Sequence, residues 1–222
     1  ITDLKAVEDA ARQFSDTWAG TTKADFITAA YDIKSGIASL TDEGVAQFTE
    51  LAGLTAKATK STTGEMTSLF ATGYGIYKGY YSELSDLEFG EMFAGGIATA
   101  VKAYKTSGSE MASAISALGG TATSANVPLE EQLSVLGMLQ ATMSGSEAAT
   151  KYKALLNAAT GAGEKLGLNF LDADKQLRSL PEILGILKSK YGDTIDAVEK
   201  KKIKEAFGSD EAVAVIDLLY GK

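Results

Sequence analysis

Ser144–Thr160 reads SGSEAATKYKALLNAAT. Ser144 stands three residues ahead of Glu147, and a run rich in Ala and Leu follows. That is the spacing of a capping box, in which the hydroxyl accepts from the N3 amide and the carboxylate reaches back to the N-cap amide. The same Ser/Thr-x-x-Glu spacing recurs at Thr62/Glu65, Ser85/Glu88, Ser107/Glu110 and Ser179/Glu182. Thr22/Asp25 and Ser39/Asp42 are weaker versions with the shorter acid. One match carries little weight. Repeated ahead of segments with apolar residues every three or four positions, they predict a string of short helices.

The apolar spacing agrees. Leu129, Leu133, Leu136, Leu139 and Met143 fall on one helical face, as do Val45, Phe48, Leu51, Ala52 and Ala58. Ile183, Leu187 and Tyr191 repeat the pattern, and so do Val213, Ile216 and Leu219. Gly20, Gly119–Gly120, Gly161, Gly192 and Gly208 read as stops. Pro128 and Pro181 stand where helices can start. Helices are expected at roughly 3–18, 23–37, 42–59, 62–83, 86–105, 108–118, 128–142, 145–159, 180–190, 194–206 and 209–220. The expected fold is all-α: one helical domain over 1–222, a compact array of about eight to eleven short helices. One minor β-hairpin is expected near 168–178, with Leu168–Leu171 pairing back onto Gln176–Arg178 across Asp172-Ala173-Asp174. Segments 29–69 and 116–156 echo each other at an offset of about 87 residues, which reads either as an internal duplication, rather than a solenoid, or as a chance likeness between Ala-rich amphipathic helices.

Composition excludes much of chemistry. With 45% hydrophobic and 23% charged residues in 222, the chain can bury a core, so general disorder is not expected. A net charge of −8 and a pI near 4.7 repel duplex DNA, whose binding needs a basic face. Lys200, Lys201, Lys202 and Lys204 form the one tight basic cluster, bracketed by Glu199 and Glu205, and read as a solvated helix face. The absence of cysteine and histidine removes disulfides, thiolate ligands, the Cys nucleophile, the commonest metal ligand and the usual general base. Phe89–Val101 is too short for a membrane span, which needs about 18 apolar residues, and carries Glu91. The N-terminus has no basic segment before an apolar core, so no signal peptide is read, and without an initiator Met the chain is expected to be a piece of something longer.

Candidate sites are few. Tyr74, Tyr77, Tyr80 and Tyr81 make a stripe at near-helical spacing among Gly73, Gly75 and Gly79. Such a stripe is either a docking surface for a partner or a close helix–helix seam. The glycines weaken the helix, which is expected to bend or break near Gly75. Asp172, Asp174 and Glu164 lack the central Gly and closing Glu of a calcium loop and read as a solvated turn. The acid pairs Asp42-Glu43, Glu130-Glu131 and Asp210-Glu211 fall in first helical turns, where negative charge complements the helix dipole. No nucleophile elbow and no phosphate loop is present. No catalytic residue, cofactor or metal is expected.

A resemblance emerges from the order of parts. Thr121–Glu131 joins a small-residue segment to a Glu-rich helix start. Gly145-Ser146-Glu147-Ala148-Ala149-Thr150 leads to Leu155-Leu156. Lys165-Leu166-Gly167 runs through an extended segment to Arg178, and Phe207-Gly208 precedes an Ala-rich helix. This order resembles the core region of phage tail tape measure proteins, within the phage-related minor tail proteins, over roughly residues 22–220. The family's Asp-rich turn usually carries a Gly; Ala173–Gln176 has none. The resemblance implies a non-enzymatic structural component of a phage or prophage tail, involved in tail length determination, tail assembly and DNA ejection. It implies tail tube and assembly proteins and tail assembly chaperones as partners, with self-association open. It implies no specific nucleic acid binding, no membrane contact by this segment, and a place in the tube lumen after assembly in the host bacterial cytoplasm. The alternative is a soluble helical protein-binding module or secreted helical effector that docks through the tyrosines. An enzyme built on carboxylates would require converging acids in a pocket.

Overall fold

A computed structural model describes residues 1–222. The fold is all-α, with twelve α-helices, one 3-10 turn and no sheet. Reciprocal capping boxes form at Thr22/Asp25, Thr62/Glu65, Ser85/Glu88, Ser144/Glu147, Ser179/Glu182 and Asp196/Glu199. The last was not among the sequence matches, because aspartate replaces the hydroxyl residue at its N-cap. At Ser107 the hydroxyl accepts from the Glu110 amide at 3.1 Å. Ser39/Asp42 forms no box. Thr41 is the cap there, accepting from Gly44 N at 3.0 Å. The Asp42 carboxylate turns instead to the amides of Thr2 and Asp3, at 3.1 and 2.7 Å, and pins the N-terminal segment.

The chain forms two compact units, Ile1–Ser116 and Ala117–Lys222. Their boundary falls inside a helix, not in a Pro- or Gly-rich linker, and so leaves no compositional mark. The first unit holds α1 (Lys5–Thr17), α2 (Lys23–Gly36), α3 (Asp42–Thr59), α4 (Thr63–Tyr77), the 3-10 turn Lys78–Tyr81 and α5 (Asp86–Tyr104). Helix α6 (Gly108–Leu118) carries the chain across the boundary. α1 packs on α2 and α3, α2 on α3 and α4, and α3 on α4 and α5. The core is aromatic, with Phe14, Phe26, Phe48, Phe70, Phe89 and Phe93 all buried. The expected helix 62–83 ends at Tyr77 and tightens into the 3-10 turn. Its break thus lies two residues beyond Gly75.

The second unit is built on α9 (Gly145–Leu166). Around it lie α7 (Thr121–Ser124), α8 (Leu129–Leu139), α11 (Ala197–Phe207) and α12 (Asp210–Leu219), with α10 (Leu180–Tyr191) beyond the turn that follows α9. α7 is a single turn too short for a periodicity signal. Helix α9 passes through Gly161, the expected stop, and ends at Gly167 in the left-handed region (φ +65°). The end is a Schellman motif: Leu168 N donates to Gly163 O at 2.8 Å and Gly167 N to Glu164 O at 3.1 Å. Two interior glycines do not stop the helix, because tertiary packing outweighs their propensity cost. The Lys190 ammonium donates to the Leu166 carbonyl and so covers the same helix end.

The expected hairpin near 168–178 is present in minimal form. Leu171 and Leu177 make one antiparallel bridge. Asp172 N donates to Gln176 O and Arg178 N to Phe170 O, both at 2.9 Å. Lys175 takes φ +61° in the turn, the kind of position that favours glycine.

Candidate functional site

The tyrosine stripe sits at the C-terminal end of α4, and the structure divides its members. Phe70, Gly73, Tyr74 and Tyr77 recur at helical spacing and face α3 and α5. Gly73 makes the approach possible: a Cβ there would lie 2.4 Å from the Phe93 ring. Phe70 meets Phe93 edge-on at 5.2 Å, and Phe48 meets Phe70 edge-on at 6.2 Å. Tyr74 lies edge-on to Phe48 and to Phe89, each at 5.9 Å. Tyr77 packs against Phe93 at 6.1 Å, and Tyr81 against Phe89 at 6.4 Å. Edge-to-face rings in this range contribute beyond their buried area.

Tyr77 is buried and Tyr74 and Tyr81 are half-buried, whereas Tyr80 is 56% exposed. The four therefore do not form one flat face. Three anchor the 3-10 turn to the core, and the turn carries Tyr80 outward. The Tyr74 hydroxyl donates to Asp86 Oδ1 at 2.8 Å. Burial pushes the Tyr74 phenol above its ordinary value; a hydrogen bond with Ser39 opposes the shift, and the Asp86 carboxylate adds to it. Burial pushes the Tyr77 phenol much further up, with Tyr81 adding to it. Phenols held this way stay protonated at neutral pH. The sequence reading missed the ring partners Phe48, Phe89 and Phe93 and the acceptor Asp86. The four-residue spacing of Phe89 and Phe93 was the available signal.

Several of the other candidates are engaged in local structure. Asp172 Oδ1 accepts from the amides of Asp174 and Gln176, each at 2.9 Å, so that carboxylate shapes the turn. No group of three or more acids is placed to hold a metal ion. Glu131 Oε1 accepts from Leu180 N at 2.8 Å and covers the start of α10. In the basic cluster, Lys200 pairs with Asp217 and Lys204 with Asp210, each at 2.7 Å, and Lys201 with Glu205 at 3.9 Å. The Asp210 hydrogen bond and charge hold the Lys204 ammonium above its ordinary value. Carboxylates thus answer three of the four lysines. No helix is long and apolar enough to cross a membrane.

Comparison with curated proteins and with solved structures finds no match. Comparison with protein families finds the phage-related minor tail proteins, matched over residues 8–208. That span runs from the first turns of α1 to the Phe207-Gly208 stop after α11. It includes the tyrosine seam, the Asp172 turn and most of both units, and stops short of α12. The chain belongs to the phage-related minor tail protein family and is a component of a phage tail.

Proposed function

We propose that this chain is the core region of a tail tape measure protein, a non-enzymatic scaffold whose working parts are packing surfaces. The observation that carries the proposal is the ordered set of elements from α8 to α12. The Glu-rich helix start, the small-residue helix, the Leu-Gly exit into a minimal hairpin and the Phe-Gly stop follow the sequence order of that group. The use of ionisable side chains supports a scaffold, since Asp172 and Glu131 accept backbone amides, one in a turn and one at a helix start.

A continuous helix of this length would reach about 330 Å at 1.5 Å per residue, and here the chain is folded into short helices. The folded segment is therefore one part of the ruler, acting in tail assembly beside tube proteins and assembly chaperones inside the lumen. Its acidic surface suits a passage through which DNA slides during ejection without adhering.

The test is tail length. In a phage carrying this gene, the parent protein is shortened or lengthened in frame outside this segment, and tails are measured by electron microscopy. Tail length should change in proportion to the altered residues; unchanged tails would remove the tape measure reading. Sub-micromolar affinity for duplex DNA at low salt would separately remove the proposed sliding role.

A further inference from the structure

Two corners of the first unit carry nearly the same sequence. Lys57-Ala58-Thr59-Lys60-Ser61-Thr62 and Lys102-Ala103-Tyr104-Lys105-Thr106-Ser107 stand 45 residues apart, and Glu65-Met66-Thr67-Ser68 and Glu110-Met111-Ala112-Ser113 follow at the same offset. The geometry repeats with the letters. α3 and α5 each end on a lysine in the left-handed region, Lys60 at φ +55° and Lys105 at φ +54°. Two residues on, the Thr62 and Ser107 hydroxyls accept from the Glu65 and Glu110 amides. Met66 and Met111 are fully buried, and so are Phe48 and Phe93 in the helices before the corners, again 45 apart. Capping alone accounts for the shared Ser/Thr-x-x-Glu. It does not account for a shared left-handed lysine, or for shared buried residues on both flanking helices.

The corner between α1 and α2 is a more distant third copy. Three residues beyond the N-caps Thr22, Thr62 and Ser107 stands an acid in each case, Asp25, Glu65 and Glu110. The fourth and eighth residues are buried apolar in all three: Phe26 and Ala30, Met66 and Phe70, Met111 and Ile115. Packing follows the same order. The first helices of the pairs form one row, α1 on α3 and α3 on α5, and α2 packs on α4 in a second row. α6 continues that row across a cleft from α4, lined on the two sides by the equivalent Ser68 and Ser113. The corners themselves stack. Ser109 Oγ donates to Glu65 Oε1 at 2.6 Å, and a Cβ on Gly108 would lie 2.4 Å from Thr59 Oγ1. Helix pairs with a period of about 40–47 residues, stacked row on row, build helical solenoids.

We infer that the first unit is a repeat array of three helical hairpins, α1/α2, α3/α4 and α5/α6, which lengthens by whole hairpins without a change of fold. In such an array each hairpin meets only its neighbours, and stability is a sum of hairpin and interface contributions. Residues 61–105 make one period, running from one corner to the same point of the next and carrying α4, the 3-10 turn and α5. A second copy placed after Lys105 recreates the Lys60–Ser61 junction at its start and keeps the native Lys105–Thr106 junction at its end. The array holds whether or not the chain measures a tail.

The experiment inserts that second copy of residues 61–105 into the full chain after Lys105. A control receives the same residues in shuffled order, which keeps composition and removes caps and apolar spacing. Circular dichroism should show the helix of a second α4 and α5, 15 and 19 residues, in the repeat variant and none of it in the control. Hydrogen exchange with mass spectrometry reads the packing. The two copies yield identical peptides, so a stacked insert gives one slowly exchanging population and an unstacked one gives half slow and half fast. Isolated helices of this length are marginal in water, so protection equal to the native copy requires stacking. A half-fast population, a repeat variant that fails to fold, or a shuffled insert as well protected as the repeat would each overturn the inference.

Discussion

Gly73 on α4 and Phe93 on α5 occupy one space: a methyl group on the glycine would come within 2.4 Å of the ring's Cζ. Phe93 is fully buried and held by Phe70, Tyr77 and Phe89, so the ring has nowhere to move. Gly73→Ala should therefore overpack the seam and destabilise the protein by about 1–3 kcal/mol. Gly75, two residues on, has nothing within 4 Å of its would-be Cβ. Gly75→Ala should stabilise by up to about 1 kcal/mol through helix propensity alone. Urea unfolding of the two variants checks the opposite signs.

The tyrosines should separate in the same way. Tyr77 is 1% exposed, and Tyr77→Ala should cost about 3–5 kcal/mol, as for other large aromatic truncations. Tyr80 is 56% exposed, and Tyr80→Ala should change stability by no more than about 0.5 kcal/mol. If the turn docks a partner, Tyr80 is the ring that reaches it. Pull-down with tail tube protein by folded Tyr80→Ala then reads the contact without a folding defect. Retention of wild-type capture would leave the tyrosines as packing alone.

Helix starts were legible in the sequence because capping is local: Ser144 and Glu147 need only each other and two amides. Helix ends were less so. Gly161 and Gly167 look alike in one dimension, and what separates them is the approach of the chain at Gly163, where a Cβ would meet the Leu168 carbonyl at 2.9 Å and the Phe170 ring at 3.0 Å. The tyrosine stripe was visible as a pattern, but its burial was not. Burial depends on Phe48 and Phe93, which lie on other helices. The echo of 29–69 in 116–156 aligns the starts of α3 and α8. It drifts afterwards, since α3 runs 18 residues and α8 runs 11.

The capping carboxylates make stability acid-sensitive. Hydrogen bonds from the cap residues hold the carboxyls of Asp25, Glu88, Glu147 and Glu182 below their ordinary values. Glu65 is lowered too, first by the Ser109 hydroxyl and then by Thr62. As pH falls, the unfolded chain takes up protons first, so the balance moves toward unfolding. This contribution is complete above the ordinary glutamate value of 4.5 and is lost as pH drops through the folded values. Melting temperature should stay level from neutrality down to about pH 5 and then fall steeply. Replacing Glu65, Glu88, Glu147 and Glu182 together by Gln should lower the neutral-pH melting temperature and flatten the acid limb; an acid limb as steep as in the wild type would place the sensitivity elsewhere.

Lys175 supplies the last prediction. It takes φ +61° in the turn that Asp172 organises, and the family's turn usually carries a glycine that Ala173–Gln176 lacks. A side chain in the left-handed region costs about 1–2 kcal/mol relative to glycine. Part of that is offset because glycine loses more backbone freedom on folding. Lys175→Gly should therefore stabilise the protein by about 0.5–1 kcal/mol. Asp172→Ala should act in the opposite direction, since two amides lose their acceptor, each bond being worth about 1 kcal/mol. The two changes share one turn, so the double variant should fall short of additivity. Chemical denaturation of the two singles and the double measures the coupling. A neutral Lys175→Gly would mean that the turn tolerates lysine in this conformation at no cost, and that the family's glycine serves another purpose.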